Sequence, residues 1–111
     1  MSIDELRARI YSWLDDSYFA AVIEKQTSVI GYVLWRDDEE YVYVRQFYIE
    51  RTFRRTGQGT KAIQELKRSF WPGRYIRLEM LCHNSAALPF WRSLGFYNYC
   101  LTLKCKSYEQ R

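Results

Sequence analysis

The stretch Phe47-Tyr48-Ile49-Glu50-Arg51-Thr52-Phe53-Arg54-Arg55-Thr56-Gly57-Gln58-Gly59-Thr60-Lys61-Ala62-Ile63 changes its period in the middle. Up to Ile49 it is aromatic and β-branched, as strands are. Beyond Gly59, Ala62, Ile63, Leu66 and Phe70 recur at helical spacing until Pro72-Gly73 stops the run. The order is therefore strand, glycine-rich loop, helix. Gly57 and Gly59 allow positive φ and a close backbone approach, and the helix behind them offers unpaired N–H groups and the positive end of its dipole. A pyrophosphate fits such a cradle. The loop lacks the third glycine of the dinucleotide fingerprint and the Gly-Lys-Ser/Thr ending of the P-loop. Taken alone it also suits a turn that merely joins strand to helix, with its arginines in solvent.

Upstream, Ser2 followed by Glu5 forms a capping box, and Ile3, Leu6, Ile10, Trp13 and Leu14 fall at helical spacing, which predicts a helix over residues 2–14. Three segments rich in β-branched and aromatic residues follow, at 18–23, 29–35 and 41–49, joined by short polar stretches that suit an antiparallel meander. Downstream, 75–82 reads as a strand. Asn84 or Ser85 can cap a second helix carrying Ala87, Phe90, Trp91 and Leu94, with Gly95 at its end, and 97–104 reads as a last strand. The expected fold is a single α/β domain over residues 1–111, a mixed sheet whose meander leads into a central parallel strand pair with helices packed on it.

A chain of 111 residues with 48% hydrophobic and 18% aromatic content can bury a core, which excludes disorder. No apolar run approaches the roughly 20 residues that span a bilayer, and the start is acidic and polar, so a membrane partner is not expected. Three cysteines without metal-ligand spacing suit free thiols in a reducing compartment, the cytoplasm, and no metal is expected. The net charge of +4 conceals a segment from Arg51 to Arg77 with eight basic residues against Glu65 alone. Such a segment suits either an anionic partner or a solvated helix face.

Arg54-Arg55-Thr56-Gly57-Gln58-Gly59 resembles the acetyl-CoA loop of the GNAT superfamily of N-acetyltransferases, Gln or Arg, two residues, Gly, one residue, Gly or Ala, five residues after a strand end. A second element, Leu78-Glu79-Met80 leading to Asn84, Ala87, Trp91 and Gly95-Phe96, is similar to the strand-then-helix signature of the same family. The two motifs agree in order and spacing, and the likeness covers residues 18–104. It implies acetyl transfer from acetyl-CoA to an amine. Phe47 to Ile49, chiefly Phe47 and Ile49, would bond the pantetheine arm through the main chain. Arg54, Arg55, Thr56, Gly57, Gln58, Gly59 and Thr60 would wrap the pyrophosphate, and Asn84 would lie beside the cofactor. Lys61 joins Arg54 and Arg55 as a cation for the phosphates.

Glu79 matches the position that some members use as general base for the amine; the plainer reading is a strand glutamate facing solvent. His83, the only histidine, reads as structural. Many members place a Tyr that protonates the leaving thiolate where this chain has Trp91, whose indole N–H donates a hydrogen bond but is no practical acid. Tyr97, Tyr99 or solvent would substitute, or a thiol of pKa about 8.5 leaves unaided. Three readings follow: a catalytic N-acetyltransferase, a CoA-binding regulatory module with weak catalysis, and a small basic nucleic-acid-binding domain using Phe70, Trp71 and Tyr75 for stacking. Typical members also begin with an extra strand and helix. With 20 aromatics on so short a chain, that absence predicts a homodimer.

Overall fold

The segment expected to be the first helix is a strand. The computed structural model describes residues 6–12, 17–81 and 86–108. In it β1 spans Leu6–Ser12 and pairs antiparallel with β2, Tyr18–Lys25, from Leu6↔Lys25 to Ser12↔Phe19. Leu6 and Ile10 fit a period of 3.6, but Leu6-Arg7-Ala8-Arg9-Ile10 fits a period of 2 equally well. Pairing decides between them, because β1 satisfies the edge of β2 along its length and an isolated short helix is marginal in water. Ser2 and Glu5, the proposed capping box, lie outside the described residues.

The rest of the meander forms as expected, with β3 at Ser28–Asp37 and β4 at Tyr41–Ile49. Helix α1, Gln58–Ser69, then leads to β5, Tyr75–Arg77, which joins β4 in parallel. The sheet order is β1-β2-β3-β4-β5. One face carries Ala21, Ile23, Val33, Trp35, Val42 and Val44, all buried, as are Ala62, Ile63 and Leu66 of α1. Trp35 is the centre of an aromatic cluster: Phe19 and Phe70 stack on it at 5.6 and 5.7 Å, and Trp71 meets it edge-on at 5.6 Å. The opposite face carries Tyr18, Tyr32, Arg36, Tyr43 and Tyr48, partly or well exposed. Between Leu34↔Gln46 and Trp35↔Val44 the register slips by one residue, leaving Arg45 as the extra residue of a bulge in β4.

These elements make one compact unit, up to Met80; a second runs from Leu81 onward. In the second, α2 spans Leu88–Ser93 with Pro89 in its first turn, where a missing N–H costs little. Its end is a Schellman motif: Gly95 at φ 92° donates to the Arg92 carbonyl at 3.0 Å, and Phe96 to that of Trp91 at 3.2 Å. The strand expected at 75–82 is shorter, stopping at Arg77, because only three positions find a partner on β4. The strand expected at 97–104 does not form. The segment alternates as a strand does, with Tyr97, Tyr99, Leu101 and Leu103 all exposed, yet no ladder satisfies its backbone. Among the described residues no helix is long and apolar enough to cross a membrane.

Gly31 is held by close backbone approach: a Cβ there would sit 2.1 Å from the carbonyl oxygen of Tyr48 on the neighbouring strand. The expected cost of Gly31→Ala is about 3 kcal/mol, since a backbone atom cannot step aside as a side chain would. Urea unfolding of wild type and variant measures it; a midpoint unmoved by the substitution would contradict the packing described.

Candidate functional site

β4 and β5 run together only at Tyr41↔Tyr75, Val42↔Ile76 and Tyr43↔Arg77. Beyond them β4 continues to Ile49 on its β3 side alone, and Leu78 to Leu81 form no strand. The fork leaves the outer edge of β4 from Val44 to Ile49 without a ladder among the described residues, and this edge includes Phe47 and Ile49. An edge of this kind can take an added extended chain by main-chain hydrogen bonds.

Past the end of β4, a 3-10 turn at Arg51–Phe53 brings the chain round to the glycine loop. Arg54 folds back: its Nε donates to the Ile49 carbonyl at 2.7 Å, and its guanidinium lies 5.2 Å from the Tyr48 ring centroid. The Thr56 hydroxyl donates to the Phe53 carbonyl at 2.7 Å. Arg55 has φ 61° and Gly57 has φ 83°, so the loop turns twice through the left-handed region before α1 begins. Gly57 is the N-cap, with no side-chain cap hydrogen bond and no acidic residue in the first turn. The N–H groups of Gln58, Gly59 and Thr60 open the helix, where intrahelical partners are lacking by geometry. A Cβ built on Gly57 meets nothing within 4 Å, so the space before these donors is open. Gln58 is buried, and its Oε1 has no hydrogen-bond partner among the described residues. Thus Phe47, Ile49 and residues 54–60 meet at one end of the fork. Asn84 and His83 lie outside the described residues.

Glu79 stands just past the fork on the β5 side. Its Oε1 accepts from the Tyr43 hydroxyl at 2.9 Å, and Tyr43 is the last β4 residue paired with β5. Burial, and then the hydrogen bond to Glu79, pushes ionisation of this phenol above its ordinary value. Tyr43 therefore remains a donor to Glu79 at neutral pH. The row continues across the exposed sheet face. Arg36 lies over the rings of Tyr43 and Tyr18 at 5.0 and 5.6 Å, and grips Asp38 through Nε–Oδ1 at 2.8 Å and Nη2–Oδ2 at 3.1 Å. That bidentate bond holds the Asp38 carboxyl below the usual carboxylate range. Arg45, from the bulge, lies over the other ring of the row, Tyr18, at 5.5 Å.

Sequence reading singled out the loop and Glu79 but not Tyr43, Arg36 and Arg45. Strand alternation puts Tyr41 and Tyr43 on one face, but which residues of β2, β3 and β5 stand beside them depends on register, which no local motif encodes. In the second unit Trp91 is buried, with Phe90 and Phe96 edge-on at 5.0 and 5.2 Å, and so serves as the packing centre of α2. Tyr97 and Tyr99 are exposed. Among the described residues no group of His, Cys, Asp and Glu could hold a metal ion.

The profile of the acetyltransferase (GNAT) family matches residues 2–96. Three solved structures share the fold. A GNAT-family acetyltransferase from Streptococcus pneumoniae superposes with a TM-score of 0.68 at 14% identity, covering 95% of this chain and 100% of its own. The enzyme AAC(6')-Iy, in complex with the bisubstrate analogue CoA-S-monomethyl-acetylneamine, gives 0.68 at 14% identity over 96% of this chain and 99% of its own. An aminoglycoside acetyltransferase from an uncultured soil metagenomic sample gives 0.67 at 15% identity, over 87% and 69% respectively. No curated protein matches in sequence.

The Tyr43–Glu79 bond has a signature at high pH. The folded-state pKa of Tyr43 lies above the unfolded phenol value of 10.0. Its contribution to stability is therefore fully present below pH 10 and is lost as pH rises through the folded value. Thermal melting of wild type is expected to fall more steeply above about pH 10 than that of Tyr43→Phe, which lacks the titrating group. Parallel curves for the two proteins would show that the phenol is not held in solution in the buried, hydrogen-bonded setting described.

Proposed function

The chain belongs to the acetyltransferase (GNAT) family, and from that premise we propose that it is an acetyl-CoA-dependent N-acetyltransferase acting on a primary amine in the cytoplasm. The observation that carries this reading is the fork, which has an unladdered strand edge and an open helix N-terminus on one side and a tethered carboxylate on the other.

The residues present suit the cofactor. The N–H groups of Gln58, Gly59 and Thr60 would hold the pyrophosphate with the aid of the helix dipole, and Arg54, Arg55, Thr56 and Lys61 would complete the anion site. Phe47 and Ile49 would offer main-chain bonds to the pantetheine arm, with Asn84 contributing from the second motif. Bound acetyl-CoA supplies the acyl group as a thioester, which an amine attacks only when neutral. Glu79 accepts the amine proton, directly or through a water. Tyr43 keeps the carboxylate aimed and, because its own ionisation is raised, does not compete for that proton near neutral pH. Trp91 brings no acid to the thiolate, so that proton comes from solvent. The same residue sustains a second reading, a CoA-binding module of weak catalysis, since its packing between Phe90 and Phe96 accounts for it without chemistry.

Three outcomes are expected. In calorimetry Gly57→Val abolishes CoA binding, because the branched side chain fills the open approach and cannot hold φ 83° without strain; a folded variant with unchanged affinity would remove residues 54–60 from the site. Glu79→Gln lowers thiol release about 100-fold at pH 7 and less at alkaline pH, where free amine is abundant; an unaltered pH–rate profile would return Glu79 to a surface role. A homodimer is proposed from the exposed Tyr75, Tyr97 and Tyr99. Trp35 and Trp71 are core residues and give that idea no support, and β1 already occupies the sheet edge beyond β2. Light scattering that gives the mass of one chain, with or without acetyl-CoA, would exclude the dimer.

A further inference from the structure

Two arginines share one tyrosine. On the exposed sheet face the guanidiniums of Arg36 and Arg45 lie 5.6 and 5.5 Å from the Tyr18 ring centroid. A guanidinium laid against a ring keeps its N–H donors in its own plane, facing outward, where they match the two oxygens of a carboxylate or phosphate. Arg36 has all three of its nitrogens engaged within the protein, with Nε and Nη2 on Asp38 and Nη1 on the Tyr18 hydroxyl at 3.1 Å. Arg45 is exposed, and among the described residues no carboxylate is paired with it. The bulge explains its position. As the extra residue of β4, Arg45 has no cross-strand neighbour of its own on β3 and is left to stand over Tyr18.

The same face ends at Glu79. From Arg45 the row runs through Tyr18, Arg36 and Tyr43 to the Glu79 carboxylate, by ring contacts of 5.5, 5.6 and 5.0 Å and a hydrogen bond of 2.9 Å. Among the described residues, a cation with no carboxylate paired to it and a carboxylate thus stand on one surface. Along β4, Tyr43 and Arg45 are two residues apart, about 7 Å in an extended chain. Polycationic acceptors need several carboxylates, and in this row Asp38 is engaged with Arg36, which leaves Glu79.

We propose that the acceptor is a zwitterionic amine, one that carries an anionic oxygen group beside its amino group, with Arg45 holding the anion while the amine faces Glu79. Tyr18 positions Arg45, and Asp38 occupies Arg36 so that a single arginine reads the ligand. This assignment of acceptor class rests on the N-acetyltransferase reading above.

The test measures thiol release from acetyl-CoA with α-, β- and γ-amino acids, each beside its own amide, which removes the negative charge and also lowers the pKa of the amine, so kcat/KM is compared per neutral amine. Wild type is expected to prefer at least one acid over its amide by tenfold or more in kcat/KM, carried by KM. Arg45→Gln should collapse that ratio and Arg45→Lys should retain part of it. Arg68→Gln, which removes the same charge from the exposed side of α1, should leave the ratio intact. Circular dichroism establishes that each variant is folded. Amides used as well as acids by wild type, or a ratio that falls equally in Arg68→Gln, would overturn the proposal while leaving the acetyltransferase reading in place. No turnover with any amine, acid or amide, despite CoA binding, would overturn both.

Discussion

Everything in the first unit depends on Trp35 being covered. It lies mid-sheet, 4% exposed, and the residues that close over it come from β2 and from the end of α1, Phe19 on one side and Phe70 and Trp71 on the other. Burying an aromatic side chain of this size is among the largest single contributions a small domain can draw on. The chain must leave β4, cross the sheet face as a helix and return to reach that arrangement, and the return makes β5 parallel to β4. The parallel pair, and hence the fork, is a by-product of covering a tryptophan.

The fork in turn separates two kinds of chemistry. On the loop side, the polar groups are main-chain donors and carbonyls, arranged by backbone conformation at Arg55 and Gly57. Across the exposed sheet face they are side chains, arranged by ring contacts and by hydrogen bonds among Tyr18, Arg36, Asp38, Tyr43 and Glu79. On the function proposed above, the first arrangement would recognise the cofactor, which backbone groups alone can do. On the same reading the second would meet the acceptor, and it is built from side chains.

This division also explains what was legible in the sequence. The glycine loop could be read because a positive φ and an open helix start demand particular residue types at particular offsets, and Gly57 obeys that demand. Strands 2 to 4 could be read because burial on one face imposes alternation. The first segment misled because Leu6 and Ile10 satisfy two periods at once, and only the partner strand chooses between them. Residues 97–104 misled in the opposite way, since they have the alternation of a strand but form no ladder among the described residues. Tyr43, Arg36 and Arg45 carry no local signature at all; they become a group only through the register of three strands.

The bulge at Arg45 sets the reading frame of β4. Before it, odd-numbered residues face outward, as Tyr43 does opposite Arg36; after it even-numbered ones do, as Tyr48 does opposite Tyr32. Ile49 is buried only because one residue is spent in crossing from the first frame to the second. Loss of that residue would set Gln46 directly after Val44 in plain alternation and leave Phe47 and Ile49 facing inward, whereas straightening the bulge with Arg45 retained would turn them out to solvent. Descendants of this chain can therefore lose the bulge residue and keep the core, but only by giving up the arginine that stands over Tyr18.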